Sequence, residues 1–155
     1  MKTIVIFGAT GGIGAYTALY LKDTGAYNVI AVGHRKSDNG FYAQYNIEYY
    51  SVDVSDYSSF DKLPKAGIDV VINFAGVLPA RNYDPRLFIN SFTLGTLNVL
   101  EYMRRVNCKK IITAQTPADL WYLQNTTDPM PADAPRSFPP STDHSIYTIA
   151  KNAAI

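Results

Sequence analysis

A chain of 155 residues with 47% hydrophobic and 17% charged residues has enough apolar material for one core, which argues against disorder. With 14 Lys and Arg against 13 Asp and Glu the net charge is +1, so the composition makes no case for a nucleic-acid or membrane-surface partner. The single cysteine, Cys108, excludes an internal disulfide and fits a reducing, cytoplasmic setting; Met1-Lys2-Thr3 runs straight into an apolar segment and reads as neither a signal peptide nor a membrane span.

Lys2 to Phe7 predicts the first strand, and Gly14 to Asp23 a helix stopped by Gly25. Between them lies Gly8-Ala9-Thr10-Gly11-Gly12-Ile13-Gly14. Strand, glycine turn and helix together are the context a dinucleotide-binding turn requires. Gly8 permits a tight turn, Gly11 lets the backbone approach a pyrophosphate, and Gly14 lets the helix pack close to the sheet. The amides and dipole of the first helical turn then hold the phosphates. The competing reading is a tight turn with no ligand.

Asn28 to Val32 predicts a second strand and Ile47 to Val52 a third. Ser55 or Asp56 is expected to cap a short helix that stops before Pro64. Ile68 to Phe74 predicts a fourth strand. Asp84-Pro85 opens a helix, and its apolar period carries it to about Val106. Lys110 to Ala114 predicts a fifth strand, with Cys108 as a small residue at its entry. Alternating strands and helices imply right-handed crossovers and an α/β, doubly wound parallel sheet in the order 3-2-1-4-5. Ligands of such sheets bind beyond the carboxyl ends of the strands.

Residues 117 to 143 hold six prolines: Pro117, Pro129, Pro131, Pro135, Pro139 and Pro140. A loop of this length reads as a lid or as a connector. A last helix is expected from about Asp143 to Ser145 onward, and the chain stops within its apolar pattern. His34 and His144 stand far apart, so no metal site is expected.

Tyr147 and Lys151 form Y-x-x-x-K, one helical turn apart on one face. With the glycine turn, this resembles the short-chain dehydrogenase/reductase superfamily, in particular its extended branch, the NAD-dependent epimerase/dehydratase family acting on nucleotide sugars. Val52-Asp53-Val54 resembles the segment carrying that family's adenine-contacting Asp, and Asn73-Phe74-Ala75-Gly76 its segment after the fourth strand. Asn90-x-x-x-x-Gly95-Thr96-Leu97-Asn98-Val99-Leu100-Glu101 resembles its N-x-x-G-T-x-N-L-L-E helix, with added residues or a different register before the Gly-Thr. Ala114-Gln115-Thr116 ends the fifth strand where the family carries Ser or Thr, and Pro131-Ala132-Asp133, Pro140 and Tyr147 resemble its proline-rich approach to the tyrosine. There are departures. Phe7 precedes the first glycine where Thr is frequent, and Thr116-Pro117-Ala118 replaces the Thr-Asp-Glu of the dehydratases. The second departure removes the acid/base pair that water elimination needs, and favours epimerase or reductase chemistry.

The resemblance implies a Rossmann-type dinucleotide-binding domain over residues 1–155 that stops before a sixth strand and a substrate lobe. It implies Thr116, Tyr147 and Lys151 as catalytic residues. A phenol is a poor base at neutrality until a nearby ammonium favours its phenolate; Tyr147 would then be the acid/base, with Lys151 beside it and on the nicotinamide ribose, and Thr116 on the substrate hydroxyl. It implies Gly8, Thr10, Gly11, Gly12, Ile13, Gly14, Asp53, Val54, Phe74, Ala75, Gly76 and Lys151 around the cofactor, and Asn90 as a proton relay or as a packing residue.

The turn after the second strand reads Gly33-His34-Arg35-Lys36, with no acid for a ribose diol. Arg35 and Lys36 suit a 2′-phosphate, so NADP is favoured over NAD; a solvated basic turn is the alternative. The chain is expected to be part of a longer protein, a gene fragment or truncated reading frame, and inactive by itself. Its open fifth-strand edge and apolar last helix suggest a homodimer. Two further functions stay open: a dinucleotide-binding sensor or module without catalysis, and a reductase of a small carbonyl compound.

Overall fold

Side-chain alternation along the first strand sets the architecture. Ile4 and Ile6 join one buried cluster and Val5 and Phe7 another, so the strand is covered on both faces. In the computed structural model, which describes residues 1–78, 84–116, 120, 129, 131, 133–135 and 145–154, this strand, β1 (Lys2–Phe7), is central. It pairs in parallel with β2 (Tyr27–Gly33), with Val5 opposite Ile30, and with β4 (Val70–Asn73), with Val5 opposite Val71. β3 (Glu48–Ser51) and β5 (Ile111–Thr113) add parallel on the outside, giving the expected order β3-β2-β1-β4-β5.

α1 (Gly12–Asp23) packs Ala18 on the face carrying Ile4, Ile6, Val29, Ala31 and Ile72. It begins two residues before the expected Gly14, because Gly11 already serves as N-cap in extended conformation. α3 (Gly95–Arg105) covers the opposite face with Val99, Tyr102 and Met103. Phe7, Phe60 and Tyr102 fill that side, with ring centroids 5.6 to 6.2 Å apart. The short helix before Pro64 is a 3₁₀ helix (Tyr57–Lys62), and of the two expected caps Asp56 performs the role, accepting from the Ser58 amide. Buried Cys108 sits just before β5.

One expected element is built differently. The helix predicted from Asp84 to Val106 is α2 (Arg86–Phe88), then a π-helical segment (Ile89–Leu94), then α3. A π turn carries one residue more than an α turn, so it absorbs an inserted residue without breaking the helix. The spacing from Asn90 to Gly95 exceeds that of the N-x-x-G-T pattern by two residues, more than one such turn takes up. α4 (Ser145–Asn152) is tied to this segment by the Thr93 hydroxyl, which donates to the Ala150 carbonyl at 3.1 Å.

Two phenols are locked into the core. Tyr102 donates to the Pro64 carbonyl at 2.9 Å and Tyr42 to the Ala9 carbonyl; burial pushes both phenols up to about 12. The protonated form is thus favoured by folding. Their contribution is complete below pH about 10, the value of a free phenol, and is lost as pH rises through about 12. Urea unfolding at pH 9 and pH 11 should show a drop of about 1 kcal/mol for each phenol across that window. Tyr42→Phe and Tyr102→Phe together should flatten it; an unchanged drop would assign the alkaline loss to other groups.

Candidate functional site

The carboxyl ends of β1, β2, β3 and β4 open on one cavity of about 410 Å³. Its wall takes Phe7, Gly8, Thr10 and Gly11 from the first turn, Val32 to Arg35 from the second, and Val52 to Ser55 from the third. Phe74 to Val77 after β4 and Leu87, Asn90 and Ser91 of the helical segment complete it. Gly8 has φ +77°, and a Cβ there would stand 2.5 Å from the Phe74 carbonyl carbon. A Cβ at Gly14 would run into the Gly8 carbonyl, so the helix is set directly against the turn. α1 has no side-chain cap at Gly11 and no acidic residue in its first turn. Its amides and positive dipole end are therefore presented to an anion without a competing carboxylate.

The family-like motifs knit the strand ends together. The Asn73 amide donates to the Thr96 hydroxyl at 3.3 Å, and Asn73 Oδ1 accepts from the Ala75 amide at 3.1 Å. Asn98 Nδ2 donates to the Val54 carbonyl at 2.8 Å, while Gly95 leaves room for the Val54 side chain. Asp53 Oδ1 accepts from the Ser55 amide at 2.9 Å and hydroxyl at 2.7 Å, and His34 Nε2 lies 3.5 Å from Asp53 Oδ2. Burial alone would raise the Asp53 carboxyl, but the Ser55 hydrogen bonds and the nearby imidazole outweigh it and hold the group below the usual carboxylate range.

Of the residues expected at a cofactor, Gly8, Thr10, Gly11, Arg35, Asp53, Val54, Phe74, Ala75, Gly76 and Asn90 line this cavity. Gly12, Ile13 and Gly14 lie in the first turn of α1, with Ile13 70% exposed, and Lys36 is exposed beyond Arg35. Thr116, Tyr147 and Lys151 are not part of the wall. Thr116 is buried two residues beyond Ala114, and Lys151 Nζ donates to the Ala114 carbonyl at 2.9 Å. Burial lowers the Lys151 ammonium from its usual value. Tyr147 stands edge-on to Phe88 and Phe92, at 5.7 and 5.4 Å.

Phe92 connects the two regions. Its ring edge lies against Gly76, at the cavity wall, and the Lys151 ammonium sits 4.4 Å over its face. Sequence reading missed this residue. The only signal was the odd count before Gly95: stepping back three positions lands on Phe92, not on an asparagine. It also missed His34 beside Asp53, since that pairing joins two different strand ends. His144 and most of 117–143, including the proline-rich segment read as a lid or connector, lie outside the described residues.

A second, more open groove of about 550 Å³ lies on the outer side of α1, between Tyr16, Leu19, Tyr20, Lys22, Asp23 and Tyr45. It is larger, but it is remote from the strand ends, and its ammonium, Lys22, already donates to the Asn46 carbonyl at 2.7 Å. The cavity at the glycine turn is the better candidate.

A model of the NAD-dependent epimerase/dehydratase family matches residues 4–155. Among curated proteins, the chain is 28% identical over 123 residues to UDP-glucose 4-epimerase of Lacticaseibacillus casei, covering 75% of the chain and 36% of that protein. It is 26% identical over 124 residues to UDP-glucose 4-epimerase 2 of Arabidopsis thaliana, covering 72% and 35%. A crystal structure of a UDP-galactose 4-epimerase superposes with a TM-score of 0.77 at 25% identity, over 99% of the chain and 49% of that structure. The chain thus spans about a third of the curated relatives and half of the solved one. Among the described residues no helix is long and apolar enough to cross a membrane, and no group of three or more metal-ligating side chains is found.

Proposed function

This chain belongs to the NAD-dependent epimerase/dehydratase family, and from that premise we propose that residues 1–155 are the dinucleotide-binding domain of an enzyme acting on a nucleotide sugar. The observation that carries the reading is the glycine cradle. At Gly8 and Gly14 a side chain would fill the space against Phe74 and the turn itself, and α1 opens without a side-chain cap at Gly11. That backbone fits a pyrophosphate. Gly8, Thr10, Gly11 and the first turn of α1 would hold the phosphates, Asp53 and Val54 the adenine, and Phe74, Ala75, Gly76 and Asn90 the path toward the reacting end.

The bound dinucleotide would supply the hydride chemistry. The chain's own residues would manage the proton and the alignment. Tyr147 takes the proton of the sugar hydroxyl and returns it, Lys151 keeps a positive charge on the same helix face, and Thr116 holds the hydroxyl that reacts. The bond from Lys151 to the Ala114 carbonyl supports this assignment, because it ties α4 to the strand end that carries Thr116. Thr116-Pro117-Ala118 supports epimerase or reductase chemistry over water elimination. Arg35 at the cavity and Lys36 beyond it support NADP over NAD. Leu97 and Leu100 on α3 and Ile146 and Ile149 on α4, each at least 42% exposed, support a homodimer contact.

A second reading, a binding module without turnover, draws on the absence of Thr116, Tyr147 and Lys151 from the cavity wall. Calorimetric titration of the 155-residue chain with NAD and with NADP tests what both readings share. One-site binding of either dinucleotide, tighter for NADP, is expected. No heat and no competition with either would overturn both.

A further inference from the structure

Tyr42, in the connection from β2 to β3, and Tyr49, on β3 itself, form a pair that the proposed function leaves unused. The Tyr42 and Tyr49 rings stack in parallel, with centroids 6.0 Å apart and planes 8° from one another. Each hydroxyl donates to a backbone carbonyl of one of the turns that line the cavity. Tyr42 bonds to Ala9 inside the glycine turn, and Tyr49 bonds to Arg35 at 2.5 Å. The loop that carries Tyr42 is itself pinned: Asp38 accepts from the Tyr42 amide at 2.7 Å and from the Gly40 amide at 3.2 Å. The Tyr49 hydroxyl also comes within 3.0 Å of where a Gly33 Cβ would be, beside the Thr10 side chain at 2.6 Å. Gly33 is thus the point where the glycine turn, the basic turn and this tyrosine meet.

We propose that Tyr49, backed by Tyr42, is a positioning residue for dinucleotide choice: it fixes the Arg35 backbone so that the guanidinium serves an adenosine ribose bearing a 2′-phosphate. The inference rests on the reading of the cavity as a dinucleotide site. Its physical basis is the loss of freedom at Arg35. An exposed arginine on an untethered turn gives up conformational entropy when it clamps a phosphate, whereas a turn already held at its carbonyl has less to lose. Arginine rewards that ordering because its fork meets phosphate oxygens in a fixed bidentate geometry. The stacked Tyr42 makes the tether stiff and links it to the turn that holds the pyrophosphate, so the two phosphate sites share one support.

The test is a double-mutant cycle on dinucleotide affinity, with NADP and NAD each titrated into the unsubstituted chain, Tyr49→Phe, Arg35→Ala and the double variant. The unsubstituted chain is expected to prefer NADP. Tyr49→Phe keeps the stacked ring and loses only the hydroxyl; it should lower the NADP-to-NAD affinity ratio about threefold to tenfold, the size one hydrogen bond carries. In the Arg35→Ala background the same substitution should leave the ratio unchanged. A purely structural role would weaken both dinucleotides alike, and that result would overturn the proposal, as would an equal change of ratio in the absence of Arg35. Preference of the unsubstituted chain for NAD would overturn the 2′-phosphate inference while leaving the dinucleotide site intact. Binding of neither would remove both.

Discussion

Gly8→Ala is expected to abolish dinucleotide binding, whereas Gly12→Ala, four residues on, is expected to be tolerated. At Gly8 two costs coincide. The left-handed φ of +77° costs an L-residue about 1–2 kcal/mol. The new Cβ would also stand 2.5 Å from the Phe74 carbonyl carbon and 2.6 Å from its oxygen, so the segment from Phe74 to Gly76 must move away from β1. That segment is cavity wall, and its displacement opens the cradle on the side of the proposed cofactor path. A stability loss of about 3 kcal/mol or more is expected, at the high end of what single substitutions produce. A Cβ at Gly12 meets nothing within 4 Å, and the position lies in the first turn of α1, where alanine can only help the helix. Thermal unfolding and calorimetric titration of the two variants check the contrast. A Gly8→Ala protein that binds like the unsubstituted chain would mean that the turn is merely a turn.

Tyr147→Phe should abolish turnover without disturbing the site around it. In a form of the protein extended to the length of its relatives, a loss of about 10²- to 10⁴-fold in the rate of dinucleotide reduction by a UDP-sugar is expected, the range a positioned acid/base contributes. The ring packing is preserved, because the edge-on contacts of Tyr147 with Phe88 and Phe92 use the ring and not the hydroxyl. Dinucleotide affinity and thermal stability should therefore stay close to those of the parent. Lys151→Met separates the second role: it keeps a flexible apolar stem of similar length but removes the ammonium that bonds to the Ala114 carbonyl and sits over Phe92. It should lower both rate and stability, since α4 loses its tie to the end of β5. Undiminished turnover by Tyr147→Phe would remove the tyrosine from the chemistry and favour the binding-module reading.

The contrast between these residues shows what local sequence can carry. The strand order followed from apolar runs separated by helical periods, and the glycine turn from its position between a strand and a helix. Those are short-range patterns, and the parallel sheet repeats them at Val5, Ile30 and Val71 in one register. The Tyr147–Lys151 spacing was visible for the same reason. Phe92 was not, because its meaning lies in contacts with Gly76, Tyr147 and Lys151, separated by up to 59 residues of sequence. Tyr42 and Tyr49 read as two of 12 tyrosines until folding placed one hydroxyl on Ala9 and the other on Arg35. The Asn73–Thr96 and Asn98–Val54 bonds give a physical reason for two of the motifs: they fasten strand ends, and so shape the cavity without entering it.

Amide chemical-shift mapping on the labelled chain decides whether the glycine turn holds the dinucleotide. On adding NADP, the largest shifts are expected at Gly8, Gly11, Gly12 and Ile13, with a second group at His34, Arg35 and Asp53. Shifts confined to Tyr16, Tyr20 and Tyr45, at the outer groove of α1, or no shifts at millimolar dinucleotide, would rule out a dinucleotide site at the glycine turn.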